Sequence, residues 1–245
     1  MADTTFWDTL WRDALAAPIA GPEDVAWENE IDRRKMRYLA PRLPDSGTAI
    51  EVGCGSARLL ARVGRSRGLR LIAVDESATA LAVAARTGRA FEVPLHLVQG
   101  TTLALPLADG SADVVLSGGL LEHFAEPTPV LHEMVRVLRP GGLLYADVVP
   151  RKRSWYRAHE AERMRTSPFM EEGVYESDLG PAAYVERLRT LGCGAIQYRW
   201  SGVYPWRLQH HARMRRLVSR FTELLDGSAV AERWGWYFML TAVKR

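Results

Sequence analysis

The stretch Thr48–Leu60, "TAIEVGCGSARLL", decides the fold. Thr48–Val52 is apolar and partly β-branched around one acid, Glu51, and reads as a buried strand. Gly53 and Gly55 then permit a tight turn, and the spacing predicts a helix over Ser56–Arg67. Three kinds of ligand are held by such a strand–glycine–helix turn: a nucleoside triphosphate, a dinucleotide, or a nucleoside joined to an amino acid. A triphosphate loop needs a lysine and a hydroxyl after its second glycine. Here "SARLL" follows Gly55, without lysine. A dinucleotide turn needs a third small residue where helix and strand pack beside the pyrophosphate. Arg58 stands at that place. The third ligand fits better. Glu51 lies two residues before the first glycine and can offset an ammonium group. Asp75 lies about 20 residues beyond the turn, at the end of the next strand, where an acid accepts hydrogen bonds from ribose hydroxyls. The free N–H groups of the helix can face a carboxylate.

Outward from this turn, strands and helices alternate. "LRLIAV" ending at Asp75, "LHLVQ", "ADVVLS" and "GLLYADVV" read as further strands. "SATALAVAARTG" reads as a helix capped by Ser77 and stopped by Gly88, and "TPVLHEMVRVL" as one stopped by "RPGG". Short apolar strands separated by helices imply a parallel sheet covered on both faces. Residues 1–45 read as helices, with Ile31, Met36, Leu39 and Leu43 near one face and Pro41 and Pro44 as the stop. Residues 150–180 are irregular, aromatic and charged, and read as a lid insertion. After the helix "PAAYVERLRTLG", two final strands, "GAIQYRWSGVY" and "RWGWYFMLTAV", are joined through a helix whose apolar stripe is Met214, Leu217, Val218, Phe221, Leu224 and Leu225, with Gly227 as its stop. No linker divides the chain, so 1–245 is expected to be one domain: a helical cap (1–45), a core (46–149), the lid (150–180) and the second half of the sheet (181–245).

The 245 residues are 47% hydrophobic and 25% charged, ordinary for a globular chain, and a net charge of +3 does not argue for nucleic acid. No run approaches a membrane span, and the N-terminus has no secretory pattern. Cys54 and Cys193 sit in no metal-type spacing. A reduced, cytoplasmic enzyme is expected, monomeric or homodimeric, without a membrane or nucleic-acid partner and without a metal.

Four segments in order, "EVGCGSARLL", "LIAVDESATAL", "VQGTTLALPLADGSADVVLSGGLLEHF" and "VRVLRPGGLLYADV", carry a resemblance. Over about Thr48–Val149 the chain resembles the class I S-adenosylmethionine-dependent methyltransferases, in particular the broad small-molecule group with a Leu-Glu-His segment after the fourth strand. The resemblance implies a Rossmann-like, seven-stranded, mostly parallel α/β sheet whose last strand is antiparallel, and S-adenosyl-L-methionine as cofactor. It implies that Gly53, Cys54 and Gly55 touch the methionine part, that Glu51 faces its ammonium, and that Asp75, with Glu76 beside it, meets the ribose. Ser117, Gly118 and Leu120 would wall the methionine side. The family commonly has an aspartate after "QG" for the adenine amino group; here Thr101 and Thr102 follow, and a hydroxyl or backbone carbonyl would take its place.

His123 follows the fourth strand, where a neutral imidazole could take a proton from an attacking acceptor or could simply pack against backbone. Glu122 beside it reads as structural or as facing the methionine side, not as catalytic. Glu133 and Arg136 are spaced to pair on a helix, with His132 too poorly supported to form a metal site. The segment "WRLQHHARMRRLVSR", with His210 and His211, reads as a solvated cationic helix face that buries its apolar stripe. Aromatic residues gather in three regions that close over the substrate in the resembling family: Trp7, Trp11 and Trp27; Trp155, Tyr156, Phe169 and Tyr175; Tyr204 and Trp206. They suit a flat or apolar small-molecule acceptor, methylated by direct displacement. The segment "SGGLLEHF" lacks the Asn/Asp-Pro-Pro-aromatic pattern of enzymes that methylate nucleobase amines. Two alternatives remain: a cyclase of the same fold that keeps the cofactor without transferring its methyl, and an RNA or protein methyltransferase.

Overall fold

The computed structural model describes residues 4–24, 26–154, 174–203 and 212–245, without the side chains of residues 4, 5, 27 and 212–216. Its centre is a seven-stranded sheet in the order β3-β2-β1-β4-β5-β7-β6. The strands are β1 (Ser46–Val52), β2 (Gly68–Asp75), β3 (Leu95–Gln99), β4 (Ala112–Gly118), β5 (Leu138–Val148), β6 (Cys193–Ser201) and β7 (Tyr237–Lys244). β1 pairs in parallel with β2 and with β4, as do β2 with β3 and β4 with β5, whereas β7 is antiparallel to both of its neighbours. This is the expected Rossmann-like sheet with an antiparallel last strand.

Alternation along the strands divides the core in two. Ile50, Val52, Val115, Leu144 and Val148 face one apolar layer with α5 (Thr128–Val137) and α6 (Pro181–Thr190). Ala49, Val114, Leu116 and Tyr145 face the other, with α3 (Arg58–Ser66) and α4 (Ala78–Ala90). Strand order reverses between β1 and β4, so their carboxyl ends open a crevice there, where ligands enter open α/β sheets.

The helical cap consists of α1 (Thr4–Ala16) and α2 (Trp27–Leu39), with one 3-10 turn, Ala40–Arg42, under the prolines. α2 is strongly charged, yet Asn29, Asp32 and Arg34 are buried with Leu39. It docks through ion pairs. Arg34 makes two 2.7 Å bonds to Asp226, Asp32 lies 3.1 Å from Arg58, and Lys35 lies 2.7 Å from Asp147.

Several element limits differ from the sequence expectation. α3 starts at Arg58, because Ala57 (φ 52°) still belongs to the turn. Ser77 caps α4 by accepting from the Ala80 N–H at 3.1 Å, but the helix passes Gly88 and ends at Ala90. A Cβ at Gly88 would stand 3.1 Å from the Val93 carbonyl, so this glycine serves packing and does not stop the helix. "RPGG" lies inside β5 and is not a break before it. Among the described residues two helices, α7 (Ala212–Glu223) and α8 (Ala229–Trp234), lie between β6 and β7 where one was expected. On α7 the expected apolar burial is met only in part. Val218 and Leu225 are half-buried, Leu225 against the core, but Leu217, Phe221 and Leu224 are exposed while Ser219 is buried, and the side chain of Met214 is not described. The cause is α2, whose Arg34 draws the polar side of this segment, Thr222 and Asp226, inward.

Candidate functional site

The carboxyl end of β1 builds the first wall. Gly53 and Gly55 adopt φ of 62° and 48°, a left-handed backbone open to glycine. Asp75, at the end of β2, accepts the Gly55 N–H at 2.9 Å on one oxygen and the Ser77 N–H at 3.0 Å on the other. It therefore ties the glycine turn to the start of α4. Burial raises its pKa, against the lowering effect of those N–H groups. A Cβ at Gly53 would fall 2.7 Å from Leu120, and one at Gly55 would collide with the Trp11 ring. Glu51 is buried, accepts the Leu60 N–H at 3.3 Å, and is pushed up to about 8 by burial.

The end of β4 builds the second wall. Gly118, Gly119 and Leu120 lead into a 3-10 turn, Leu121–His123. His123 Nδ1 lies 2.9 Å from the Tyr175 carbonyl oxygen, and its ring meets Trp7 edge-on at 4.9 Å. A carbonyl only accepts, so Nδ1 carries a proton, and in the neutral ring Nε2 is the basic nitrogen. Glu122 is buried, accepts the Val149 N–H at 3.2 Å and is likewise pushed up to about 8 by burial. Its backbone carbonyl accepts the Ser177 N–H at 2.7 Å, which fastens the far end of the insertion to this turn.

Between these walls, under α1 and α2, lies a cavity of about 440 Å³. Of the residues expected from the sequence, Glu51, Gly53, Cys54, Gly55, Asp75, Glu76, Thr102, Gly118 and Leu120 line it, together with Trp7, Trp11 and His123. Thr101 and Ser117 do not. The Thr101 hydroxyl accepts the Leu103 N–H at 3.3 Å, and Ser117 is buried behind the wall. Tyr175 is exposed and contributes its carbonyl to His123. Trp27 begins α2, with its side chain not described. Trp155, Tyr156, Phe169, Tyr204 and Trp206 lie outside the described residues, as do His210 and His211. Glu133 and Arg136 do pair, at 2.7 Å, away from the cavity.

Sequence reasoning missed the α2 side of the cavity, where Glu28, Ile31, Asp32 and Lys35 line one wall, and it missed Trp236, which also lines the cavity. The spacing i, i+3, i+4, i+7 marks one helical face, but which way that face turns is set only by the packing. The signal was obscured because that face is mostly charged. The lining holds five carboxyl groups (Glu28, Asp32, Glu51, Asp75, Glu76), with Glu51 mostly protonated near neutral pH, and two cations, Lys35 and Arg58. Such a lining favours a cationic ligand. The glycine cradle, the acid at the end of β2 and this charge bias fit S-adenosylmethionine, whose sulfonium and ammonium are positive and whose ribose presents two hydroxyls.

Comparison with known proteins agrees. Residues 50–146 match the family described as a methyltransferase domain. Over 170 residues the chain is 32% identical to a malonyl-[acyl-carrier protein] O-methyltransferase of Enterobacter lignolyticus, covering 66% of this chain and 65% of that protein. It is 26% identical to a demethylmenaquinone methyltransferase of Thermus thermophilus, covering 71% and 77%. The chain thus spans slightly under two thirds of the first of these relatives. Among solved structures, the [4+2]-cyclase SpnF shares the fold with a TM-score of 0.61 at 20% identity, over 98% of this chain and 94% of that one. Residues 50–146 are thus a methyltransferase domain of the class I S-adenosylmethionine-dependent kind, and S-adenosylmethionine is the cofactor of that domain.

Proposed function

We propose that this protein transfers a methyl group from S-adenosylmethionine to a small-molecule acceptor, aromatic or apolar, by direct displacement. The observation that carries this reading is the continuity of the cavity. The glycine turn and its acids run without a break into a wall of Trp7, Trp11, Leu120, Phe124 and Trp236. When bound, S-adenosylmethionine supplies an electrophilic methyl group with a good leaving group. The chain's part is then to bind, to align and to exclude water. Asp75 accepts from the ribose hydroxyls, the Gly53–Gly55 backbone admits the amino-acid tail, and Glu51 meets its ammonium. Thr102, which lines the cavity where Thr101 does not, supplies the hydroxyl for the adenine side in this reading. The tryptophans of α1 close the cavity and hold the acceptor in line, and orientation of this kind supplies about 7–11 kcal/mol in ideal cases. His123 takes the acceptor's proton through Nε2 when the acceptor must lose one. The relative named for demethylmenaquinone supports an apolar acceptor. The two cysteines, both free and buried, support a reducing, cytoplasmic location.

The test uses cofactor labelled in its methyl group, purified protein and a panel of phenolic, quinone and carboxylic acceptors. Label appearing in an acceptor, and lost with Asp75→Ala, is the expected result. Tight cofactor binding with no label moved to any acceptor would instead favour a cyclase-like use of the same site.

A further inference from the structure

A surface remote from the glycine turn also has a readable chemistry. On α7 and the turn after it, Leu217, Phe221 and Leu224 are 51%, 64% and 80% exposed. They are spaced four and three apart, so they form one outward stripe. Arg220 is exposed beside them, and positions 213, 215 and 216 of the same helix are also arginine in sequence. The inward side is held by polar contacts. Ser219 is buried, and Asp226 is bonded to Arg34. Glu223, the single acid in α7, is paired with Arg37. The local acids are therefore neutralised, while the exposed arginine is left to set the outward field.

We propose that this face binds an anionic lipid surface, with α7 lying in the plane of the headgroups. Leu217, Phe221 and Leu224 enter the acyl boundary and Arg220 meets phosphate groups, the arrangement of a basic amphipathic helix. Charge decides against a second copy of the chain. Two-fold self-pairing about this stripe would bring Arg220 of each copy to an interface whose nearby acids, Glu223 and Asp226, are already committed. Nucleic acid would use the arginines but leave three large apolar side chains in water. The absence of a spanning segment predicted no membrane partner. Peripheral binding needs none, and exposure on the folded helix is what changes the reading.

The experiment is flotation of the full chain with vesicles of phosphatidylglycerol and phosphatidylcholine in equal parts, and with phosphatidylcholine alone. The protein is expected to float with the mixed vesicles, less so at high salt, and only weakly with the neutral ones. The double variant Phe221→Glu with Leu224→Glu is expected to reduce the bound fraction about ten-fold, and Arg220→Glu to reduce it less. Cofactor binding by both variants, read by calorimetry, shows that they remain folded. No flotation with mixed vesicles overturns the proposal, as does equal binding to neutral ones. Flotation unchanged in the double variant overturns it too, and so does a wild-type dimer that the double variant converts to monomer.

Discussion

Asp75 does two jobs at one position. Its oxygens hold the glycine turn and the start of α4 through the Gly55 and Ser77 N–H groups, and the same carboxylate borders the cavity. Replacing it with alanine should weaken cofactor binding by about 10- to 100-fold, as expected when a charged hydrogen-bond acceptor worth about 1–3 kcal/mol is lost. Calorimetry checks this, and unchanged affinity would remove Asp75 from the ribose role. Glu51 gives a second prediction. Burial lifts its pKa to about 8, so near neutral pH it is mostly protonated. An ammonium group placed opposite favours the ionised form. Cofactor binding near neutral pH should therefore release protons. The measurement is binding enthalpy in two buffers of different ionisation heat, and Glu51→Gln should abolish the difference.

At the level of elements, α2 is the least expected part. The sequence suggested an ordinary apolar face through Leu39 and Leu43, and those residues are buried. Its position is set as much by buried charges as by those leucines. Arg34 and Asp226 are 5% and 3% exposed in their side chains, 192 positions apart in the chain. Arg34→Ala leaves Asp226 buried and unpaired, and should cost about 3 kcal/mol in denaturant unfolding. A double change to apolar residues of similar size should recover much of that loss. If the single change were nearly neutral, α2 would be held by its apolar side alone. Because Glu28, Asp32 and Lys35 line the cavity from this helix, loosening it should also raise the Kd for the cofactor.

For the whole molecule, two buried acids set a dependence on pH. Glu51 and Glu122 both titrate at about 8 in the folded protein, against 4.5 for an ordinary glutamate. Between these values the folded form holds protons that the unfolded chain releases. Their contribution to stability is full below about 4.5 and is lost as pH rises through about 8. Thermal melting without cofactor should therefore fall across that window, and the variant with both residues changed to glutamine should show a flatter profile. A wild-type melting temperature that rises steadily across the window would contradict the burial of these protons.

The β1–Gly53–Gly55 turn, the acid at the end of β2 and the alternation of strands with helices were legible from Thr48–Val149, because apolar runs, glycines and a strand-end acid are local signals; the reversed last strand was implied by the family resemblance, and the strand order was decided by tertiary pairing. The α2 wall, Trp236 and the placement of Thr102 over Thr101 were not. Each depends on which way a side chain turns once distant segments meet. The same holds for α7. Its sequence has an apolar stripe, but whether that stripe faces inward is a matter of what it packs against, and Arg34 draws the polar side in. Local backbone chemistry determined the domain and its cofactor, whereas the pairing of buried charges far apart in the chain decided the cavity's charge and the surface left open to solvent.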